Sequence, residues 1–387
     1  MKRIWPVLAY CFLLLLFSPA PGRAEEARDI TGRCVITAAP GSQGKKADML
    51  DQSYLTYYTG KYLEISSPEG EPCGGLFLRF AKKETAYRVD AWQNGQWTAV
   101  AQDSRLYANS YLPLPSPASR LRVVPTGQDT LSIAEITVLG EGVRPAWVQD
   151  WQPWEGKADL LVLSAHADDE LLFFGGVIPY YAAQRQKHVI VCYLTEQTSC
   201  RRNELLDGLW LCGIREYPHM GVFKDIKNNS LGDSYGFWGE KPVVEYVTGL
   251  LRQYRPDVVV THDKGGEYGH GAHRVCADAM VKALSLAQDS AYLPQAGEPW
   301  QIQKLYLHLY RENALTLDWR QPLSAFDGQT AFDVAKAAFD CHKSQKSNGL
   351  IVQDWGPYAN NVFGLYYSAV GPDEQGNDLF EHIGAEQ

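Results

Sequence analysis

The stretch DLLVLSAHADDELLFFGG, residues 159–176, decides the fold of the larger part of the chain. It begins as an apolar strand and then places one histidine and three acidic residues within five positions. Nearly continuous apolar strands are typical of parallel sheets that are buried on both faces. Charged side chains are costly to desolvate, so their position directly after a core strand indicates that they bind something.

After residue 158, apolar strands alternate with amphipathic helices. Strand-like segments follow the quoted stretch at HVIVCYLT, 188–195, and PDVVVTHD, 256–263. Helical patterns lie between and after the strands, ending near residue 185 and then covering about 200–212, 242–255 and 273–288. This alternation predicts an α/β fold for residues 158–387, with a Rossmann-like, mostly parallel sheet and helices on both faces.

Residues 25–140 have a different pattern, with many short strand-like runs separated by turns. Asn94-Gly95 lies between two of these runs and is a strong hairpin signal, so we predict an all-β sandwich domain that precedes the α/β domain. Its segments ARDITGRC, DQSYLTYY and IAEITVLGEG resemble discoidin-type, galactose-binding-like domains, which often bind glycans. The Pro- and Trp-rich residues 141–157 are predicted to form a linker.

Residues 1–24 have the three parts of a secretory signal peptide. Lys2 and Arg3 form the basic start, residues 7–17 the apolar middle, and residues 22–24 (GRA) the small-residue cleavage site. The apolar run is too short for a comfortable membrane span. We therefore expect a secreted or extracytoplasmic protein that is cleaved after Ala24 and has no integral membrane segment.

Charge and cysteine content narrow the class of protein. The formal net charge is -9, and without the three basic residues of 1–24 the chain has 33 basic and 45 acidic residues. An acidic protein with no basic run is poorly suited to a phosphate backbone, so no nucleic-acid partner is expected. Seven of the eight cysteines lie after residue 24, and export permits disulfides. Cys34 and Cys73 are the one candidate pair for a disulfide bond.

Polar clusters follow three of the predicted parallel strands, where ligands bind in open α/β sheets. The clusters are HADDE (166–170), TEQ (195–197) leading into Arg201 and Glu204, and THDKGGEYGHGAH (261–273). His166 and Asp169 are three residues apart, as are His270 and His273, and this spacing puts two side chains on one face of a helical turn. Two imidazoles and a carboxylate with one open position describe a catalytic zinc site.

The segments AHADDE (165–170) and GEYGHGAHR (266–274) resemble the motifs of the PIG-L/LmbE family of zinc-dependent N-deacetylases, which act on N-acetylglucosamine-bearing substrates. RRNEL (201–205) is similar to a helix start in that family, and HKSQ (342–345) to a C-terminal stretch. The resemblance covers roughly residues 157–385. Ala165 and Ala167 replace the prolines of the PHPDDE motif, and Ala272 stands where many members have Asp.

The resemblance implies a metal site and a general base. His166, Asp169 and His273 would bind the metal, expected to be Zn²⁺, with Fe²⁺ or another divalent cation as the alternative. Asp168 would be the catalytic base that takes a proton from water whose pKa the cation has lowered.

On the substrate side, the resemblance implies four further roles. His270 would donate to the oxyanion of the tetrahedral intermediate, and Tyr268 would assist the carbonyl group. Arg201 would hold hydroxyls or a phosphate of the substrate. Glu170, assigned to the same substrate-binding side, would orient a ligand rather than react.

Three further polar residues of the third cluster are ambiguous. His262 and Asp263 fit an ordinary strand end better than a catalytic role. Glu267 could touch substrate but is expected to be a solvated loop acid.

The sequence therefore predicts a secreted, zinc-dependent hydrolase that removes an N-acyl group, expected to be acetyl, from an N-acetylated sugar or glycan substrate. A non-catalytic carbohydrate-binding protein is an alternative, although the complete set of base, ligands and oxyanion donor argues against it. A non-haem iron oxygenase is another, because His166-x-Asp168 with a distant histidine formally matches a facial triad. Those triads usually lie on β-barrel frames, whereas this motif follows a parallel strand.

Overall fold

The computed structural model of the protein describes residues 25–127 and 129–384. The predicted signal peptide, residues 1–24, lies outside this range. Among the helices of the described residues, none has the length and apolar character needed to cross a membrane.

The N-terminal part is built from antiparallel strands. Their bounds are β1 Val35–Ala38, β2 Tyr58–Gly60, β3 Leu63–Ser66, β4 Cys73–Phe80, β5 Tyr87–Gln93, β6 Gln96–Asp103, β7 Asn109–Ala118, β8 Arg120–Pro125 and β9 Leu131–Leu139. One sheet has the order β1-β3-β8-β5-β6 and the other the order β2-β9-β4-β7. Apolar side chains from both sheets, among them Leu63, Val89, Leu76 and Ile133, belong to one core. The two sheets therefore enclose a common apolar layer.

The predicted hairpin joins β5 to β6. Asn94 and Gly95 have φ angles of 52° and 79°, as a tight two-residue hairpin turn requires. Trp92 and Trp97 lie opposite each other on either side of this turn.

Cys34 and Cys73 lie together in the apolar core between these sheets. They are free thiols in contact, and a hydrogen bond from Cys73 lowers the pKa of Cys34. The structure thus brings the predicted pair together without a bond between the two sulfur atoms.

The C-terminal part alternates strands and helices. Its strands are β10 Leu160–Ser164, β11 Val189–Tyr193, β12 Val258–Thr261, β13 Lys304–His308, β14 Ala314–Thr316 and β15 Val362–Ser368. Its α-helices are α1 Asp169–Leu172, α2 Ser199–Leu211, α3 Leu231–Trp238, α4 Glu240–Tyr254, α5 Gly271–Leu286 and α6 Ala331–Phe339. Shorter helical turns lie at Thr31–Arg33, Lys46–Met49, Pro179–Gln184, Glu267–Gly269, Pro294–Ala296, Ser324–Phe326 and Lys346–Asn348.

These strands form one sheet in the order β11-β10-β12-β13-β15-β14. The pairs β10/β11, β10/β12 and β12/β13 are parallel, whereas β15 is antiparallel to both of its neighbours. Along β10, Leu160 and Val162 pack in one core with α2 and α6, and Leu161 and Leu163 pack in another with α4 and α5. The sheet is therefore mixed, and helices cover both of its faces.

The helical stretch predicted to follow β10 up to residue 185 is interrupted. Helix α1 ends at Leu172, and a π-helical turn covers Pro179–Gln184. Between them, Gly175 has a φ of 47°, and a Cβ at this position would lie 2.4 Å from the side chain of Asn360. This left-handed residue and the close approach of Asn360 break the helix that the apolar pattern indicated.

A buried ion pair attaches the C-terminal segment to the sheet. Lys304, in β13, has no exposed surface, and its ammonium group donates hydrogen bonds to Asp373 and to the Tyr306 hydroxyl. Tyr306 in turn donates to the other oxygen of Asp373 at 2.7 Å. The carboxylate compensates the charge of Lys304, which would otherwise be very costly to bury.

Candidate functional site

The carboxyl ends of the parallel strands meet at a cavity of about 520 Å³. The loop after β10, the loop after β12 and the first turn of α2 contribute to its lining. Six of the residues singled out from the sequence line the cavity, namely His166, Asp168, Asp169, Arg201, Tyr268 and His270. His273 and Glu170 are buried, with no exposed surface. The polar clusters that are far apart in the sequence are therefore brought to one place.

Asp169 is the point at which two histidines meet. Its Oδ2 atom lies 2.8 Å from His166 Nδ1 and 3.1 Å from His273 Nε2, and it also accepts the backbone N–H of His166 at 2.9 Å. Burial alone would raise the pKa of Asp169, but His273 and His166 hold it well below its usual value. The carboxylate is thus charged at neutral pH and surrounded by imidazole nitrogens.

Glu267 organises the histidines from behind the cavity. It has no exposed surface, and its carboxylate lies 2.8 Å from His262 Nδ1, 2.7 Å from His273 Nδ1 and 2.6 Å from His308 Nδ1. The expectation of a solvated loop acid was therefore wrong. Alternation along β13 would place His308 on a polar face with Lys304 and Tyr306, whereas all five residues of the strand are buried, and no local signal shows that one carboxylate contacts three histidines.

These hydrogen bonds distinguish the nitrogens that are free from those that are occupied. His262 Nε2 accepts the backbone N–H of Ala165 at 3.0 Å, so both of its ring nitrogens have partners. His262 therefore belongs to the hydrogen-bond network around the cluster. His273 uses Nδ1 for Glu267, and its Nε2 is buried without a hydrogen-bond partner, facing Asp169. A buried nitrogen of this kind requires an explanation, and a metal ion provides one.

Two groups of side chains in the described residues bring possible ligand atoms within 4.8 Å of one another. They are His166 with His270 and His273, and Asp169 with His262 and His273. His273 belongs to both, and His166 and Asp169 each belong to one. The predicted set of His166, Asp169 and His273 therefore lies within a single compact cluster of nitrogen and oxygen donors, as divalent transition metals prefer.

Asp168 lies beside this cluster and differs from Asp169 in its contacts. Its Oδ1 atom is 3.1 Å from the guanidinium of Arg201, and its backbone N–H donates to Glu170 at 3.0 Å. It has a φ of 105°, a strained conformation for a residue other than glycine. Burial and the neighbouring Asp169 raise the pKa of Asp168 to about 7, although Arg201 opposes the shift. Since Asp169, not Asp168, contacts the histidines, the arrangement does not support a His-x-Asp facial triad.

Glu170 lies outside the cavity, so it cannot contact a substrate bound there. It is absent from the cavity lining and has no exposed surface, and its Oε2 atom accepts the N–H of Asp168. Burial, followed by the charge of Asp168, raises the pKa of Glu170 to about 8. It therefore supports the backbone of Asp168 instead of binding substrate, because α1 directs it into the core.

His270 and Tyr268 form one wall of the cavity. The Nδ1 atom of His270 accepts the N–H of Ala272 at 3.3 Å, at the start of α5, which leaves Nε2 to carry the proton of a neutral ring. Burial and the nearby His166 lower the pKa of His270 to about 3. Tyr268 is 43% exposed and has a left-handed φ of 46°. A neutral imidazole and a phenol are both able to donate a hydrogen bond to a group in the cavity.

Arg201 and Asp225 form the polar rim on the other side. Asp225 lies 3.6 Å from the Arg201 guanidinium and 3.4 Å from His166 Nε2. A hydrogen bond from His166 lowers the pKa of Asp225. Asp225 could not be predicted from the sequence, since it lies in an irregular segment with no motif or strand end to single it out.

The segments RRNEL and HKSQ meet next to the cavity. Glu204, on α2, is buried and accepts hydrogen bonds from the Ser344 N–H at 2.8 Å and the Ser344 hydroxyl at 2.6 Å. Gln345, the next residue, lines the cavity. Two motifs separated by about 140 positions are therefore joined by one carboxylate.

The carboxyl edge of the sheet holds a buried carboxylate among histidines, and a second carboxylate lies in the adjoining cavity. These features define an α/β protein with a candidate metal-dependent site. Residues 161–284 match the family model described as "PIG-L: GlcNAc-PI de-N-acetylase". This range contains the polar residues from His166 to His273.

Curated relatives also match part of the chain. The chain is 30% identical over 176 residues to a "1D-myo-inositol 2-acetamido-2-deoxy-alpha-D-glucopyranoside deacetylase 1" of Frankia alni. This alignment covers 37% of this chain and 60% of the relative. A deacetylase of the same description from Rhodococcus jostii is 32% identical over 184 residues, covering 40% and 63%. The chain thus spans about 60% of the length of these relatives. Among solved structures, an N,N'-diacetylchitobiose deacetylase from Pyrococcus horikoshii aligns with a TM-score of 0.38 and 17% identity, over 49% of this chain and 71% of that chain.

Proposed function

We propose that this protein is a secreted, zinc-dependent hydrolase that removes an acetyl group from an N-acetylated amino sugar or glycoside. The observation that carries the proposal is the contact between His273 Nε2 and Asp169 Oδ2, which lie 3.1 Å apart in a buried site. Asp168 lines the adjoining cavity. The match of residues 161–284 to a de-N-acetylase family and the names of the curated relatives support the reaction class.

The donor set fits a divalent cation. His166, Asp169 and His273 would hold it, and Glu267 fixes His273 so that Nε2 is the free nitrogen. When bound, such a cation lowers the pKa of water and polarises a carbonyl group.

Asp168 is suited to move the proton of the attacking water. It lines the cavity and is held by Arg201 and by Glu170, so its carboxylate has a fixed position next to the metal ligands. As general base it takes the proton from water, and it then gives the proton to the nitrogen of the departing amine. One carboxyl group thereby serves both halves of an amide hydrolysis.

The negative charge that develops on the amide oxygen needs a donor. His270 is neutral and carries its proton on Nε2, because Nδ1 accepts the N–H of Ala272. Tyr268 remains protonated because burial, followed by the nearby carboxylates, raises the pKa of its hydroxyl. Either group can donate to the oxyanion, a role that is typically worth several kcal/mol.

The rim formed by Arg201 and Asp225 suits the hydroxyls of a sugar. A guanidinium supplies donors and a carboxylate supplies acceptors, and the two groups lie 3.6 Å apart. Neighbouring hydroxyls on a pyranose ring can donate to one and accept from the other.

The N-terminal strands are proposed to help hold a glycan. Trp92 and Trp97 pack edge to face with ring centroids 5.2 Å apart, and Arg120 lies 5.1 Å from both rings. Trp92 is exposed and Trp97 is half-buried, and indoles beside a cation suit the apolar face and the hydroxyls of a sugar ring. Weaker glycan binding by a Trp92→Ala variant, with unchanged hydrolysis of a monosaccharide, is the expected result.

The test combines metal content with acetate release. Protein purified without added metal should contain about one zinc per chain, and it should release acetate from N-acetylglucosamine or its glycosides. The His273→Ala variant should lose the zinc, whereas His382→Ala, a histidine outside the cluster, should keep it. The Asp168→Asn variant should keep the zinc and lose acetate release by a factor of about 100 or more.

Other outcomes would contradict the proposal. Full hydrolysis by Asp168→Asn would remove Asp168 from the mechanism. Bound iron with oxygen consumption would support an oxygenase, and glycan binding without any acetate release would support a carbohydrate-binding protein.

A further inference from the structure

A second cavity of about 570 Å³ adjoins the candidate active site. The two cavities share Leu350, and the short segment 345–350 separates them. Gln345 and Asn348 of this segment line the first cavity, and Lys346 lines the second. A ligand that fills the first cavity can therefore continue into the second across a single turn of the chain.

The separating segment is held in place. Ser344 donates two hydrogen bonds to the buried Glu204 of α2, and Asn348 donates to the Gln345 side chain at 3.0 Å. Because α2 also carries Arg201, the same helix positions the rim of the first cavity and the boundary of the second. The two cavities thus have a fixed relation to each other.

The second cavity has an apolar floor and one exposed aromatic side chain. Phe332, Phe339 and Val352 are buried at its base, whereas Trp355 is 54% exposed and Ile351 57% exposed. The indole of Trp355 lies 6.4 Å from the ring of Phe332. A tryptophan left open to solvent beside a candidate active site is typical of a surface that binds a ring.

Two of the three cations that line the cavity are paired with carboxylates, and Lys336 is the third. Arg320 donates two hydrogen bonds to Asp354, at 2.7 and 2.8 Å, and Lys346 lies 2.9 Å from Asp340. Paired donors and acceptors at the edge suit hydroxyl groups.

We propose that this second cavity is a subsite for the sugar ring that neighbours the N-acetylated sugar, so that the substrate is at least a disaccharide. A pyranose has an apolar face that can lie on the Trp355 indole and an edge of hydroxyls that can reach the paired charges. This inference rests on the proposed function, since it assumes that the first cavity takes an N-acetylated sugar.

The first experiment compares acetate release from N-acetylglucosamine and from its β-1,4-linked dimer. The dimer should have a kcat/KM about tenfold higher than the monomer in the unaltered protein. The Trp355→Ala variant should lose that advantage while its kcat/KM for the monomer stays within about twofold, and Trp355→Phe should retain most of it. Trp147→Ala, which alters a 49% exposed tryptophan in the connector outside both cavities, should change neither value.

A second experiment measures binding without turnover. In the full-length Asp168→Asn protein, calorimetric titration should show that Trp355→Ala weakens binding of the dimer about tenfold and leaves binding of the monomer unchanged. Thermal melting of each variant verifies that it is folded.

The outcomes separate this inference from the proposed function. Binding of the dimer that depends on Trp355, without acetate release from any sugar, keeps the subsite and overturns the deacetylase. Acetate release with no preference for the dimer, or with equal loss on both sugars in Trp355→Ala, overturns the subsite and keeps the deacetylase. A preference for octyl N-acetylglucosaminide that depends on Trp355, with none for the dimer, means that the cavity takes an apolar chain and overturns the sugar subsite.

Discussion

Glu267 places one buried negative charge among three imidazoles. Each of His262, His273 and His308 points Nδ1 at this carboxylate, which determines where the ring protons reside. Burial alone would raise the pKa of Glu267, but His262 and the other hydrogen bonds hold it well below its usual value. Orientation by an outer carboxylate is a common feature of metal-binding histidines.

We predict that Glu267→Gln lowers the zinc affinity by about 10–100-fold. An amide keeps the size of the side chain but removes the charge that favours the Nδ1–H form of His273. Zinc retained during dialysis against increasing chelator concentrations measures the effect. Glu298→Gln, at an exposed loop position, is the control. Equal zinc retention in both variants would contradict the role assigned to Glu267.

We predict that the protein loses stability in acid because of His219. Burial lowers its pKa to about 4, and its Nδ1 lies 2.7 Å from the Tyr254 hydroxyl. Between pH 6.5 and 4 the unfolded chain binds this proton and the folded chain does not, so the free energy of unfolding falls as the pH falls.

The expected contribution of His219 over this range is on the order of 2 kcal/mol. Urea unfolding at pH 7 and pH 4.5 measures it, and the His219→Asn variant should lose less stability between the two pH values than the unaltered protein does. His382→Asn, at a more exposed histidine, should behave like the unaltered protein. Identical pH dependence in His219→Asn would refute the assignment.

Several elements could be predicted from the sequence because their patterns are local. The apolar runs at 159–165 and 256–263 became β10 and β12, the 200–212 pattern became α2, and Asn94-Gly95 is the turn between β5 and β6. In each case, the residues that determine the element lie within it.

Other elements depend on distant partners and were missed. The segment NSYLPLPSPA forms β7 despite its three prolines, because β7 is the edge strand of its sheet and the missing N–H groups need no partner there. The break after α1 depends on Asn360, and the positions of Glu267 and Asp225 depend on histidines from other loops. The sequence pattern therefore predicted the position of the site better than its full set of residues.

Helix α2 is attached to the N-terminal strands through Asp207. This carboxylate accepts hydrogen bonds from the Tyr54 hydroxyl and from the Gln149 side chain, and it lies 3.7 Å from the guanidinium of Arg79. We predict that Asp207→Ala lowers the free energy of unfolding by about 2–3 kcal/mol, since it leaves three partly buried polar groups without their partner. Urea unfolding with the exposed Asp129→Ala as control measures this, and a change below about 0.5 kcal/mol would refute it.

At the scale of the whole molecule, the N-terminal strands support the candidate site. Asn203 donates to the Phe80 carbonyl at 3.0 Å, Arg202 donates to the Lys82 carbonyl at 2.9 Å, and Lys343 donates to the Gln52 carbonyl at 3.4 Å. The first two residues lie on α2 beside Arg201, and the third lies beside Ser344. The contacts therefore reach the two segments that border the cavity.

We predict that residues 141–387 expressed alone melt at least about 5 °C below the full chain, because α2 would lose these hydrogen bonds and expose apolar surface. Differential scanning calorimetry of both proteins measures the difference. An equal melting temperature, together with equal acetate release, would mean that the α/β part does not depend on the N-terminal strands.

The buried pair of Lys304 and Asp373 affects the time during synthesis at which β13 can be buried. The two residues are 69 positions apart, and Asp373 lies beyond the last strand of the sheet. At roughly 5–20 residues per second, a ribosome makes β13 several seconds before it makes the aspartate that neutralises its lysine. Until then, Lys304 can keep its charge only in contact with water. The burial of Lys304 in β13 therefore waits for residue 373, so a nascent chain that stops before this residue would remain open along this strand.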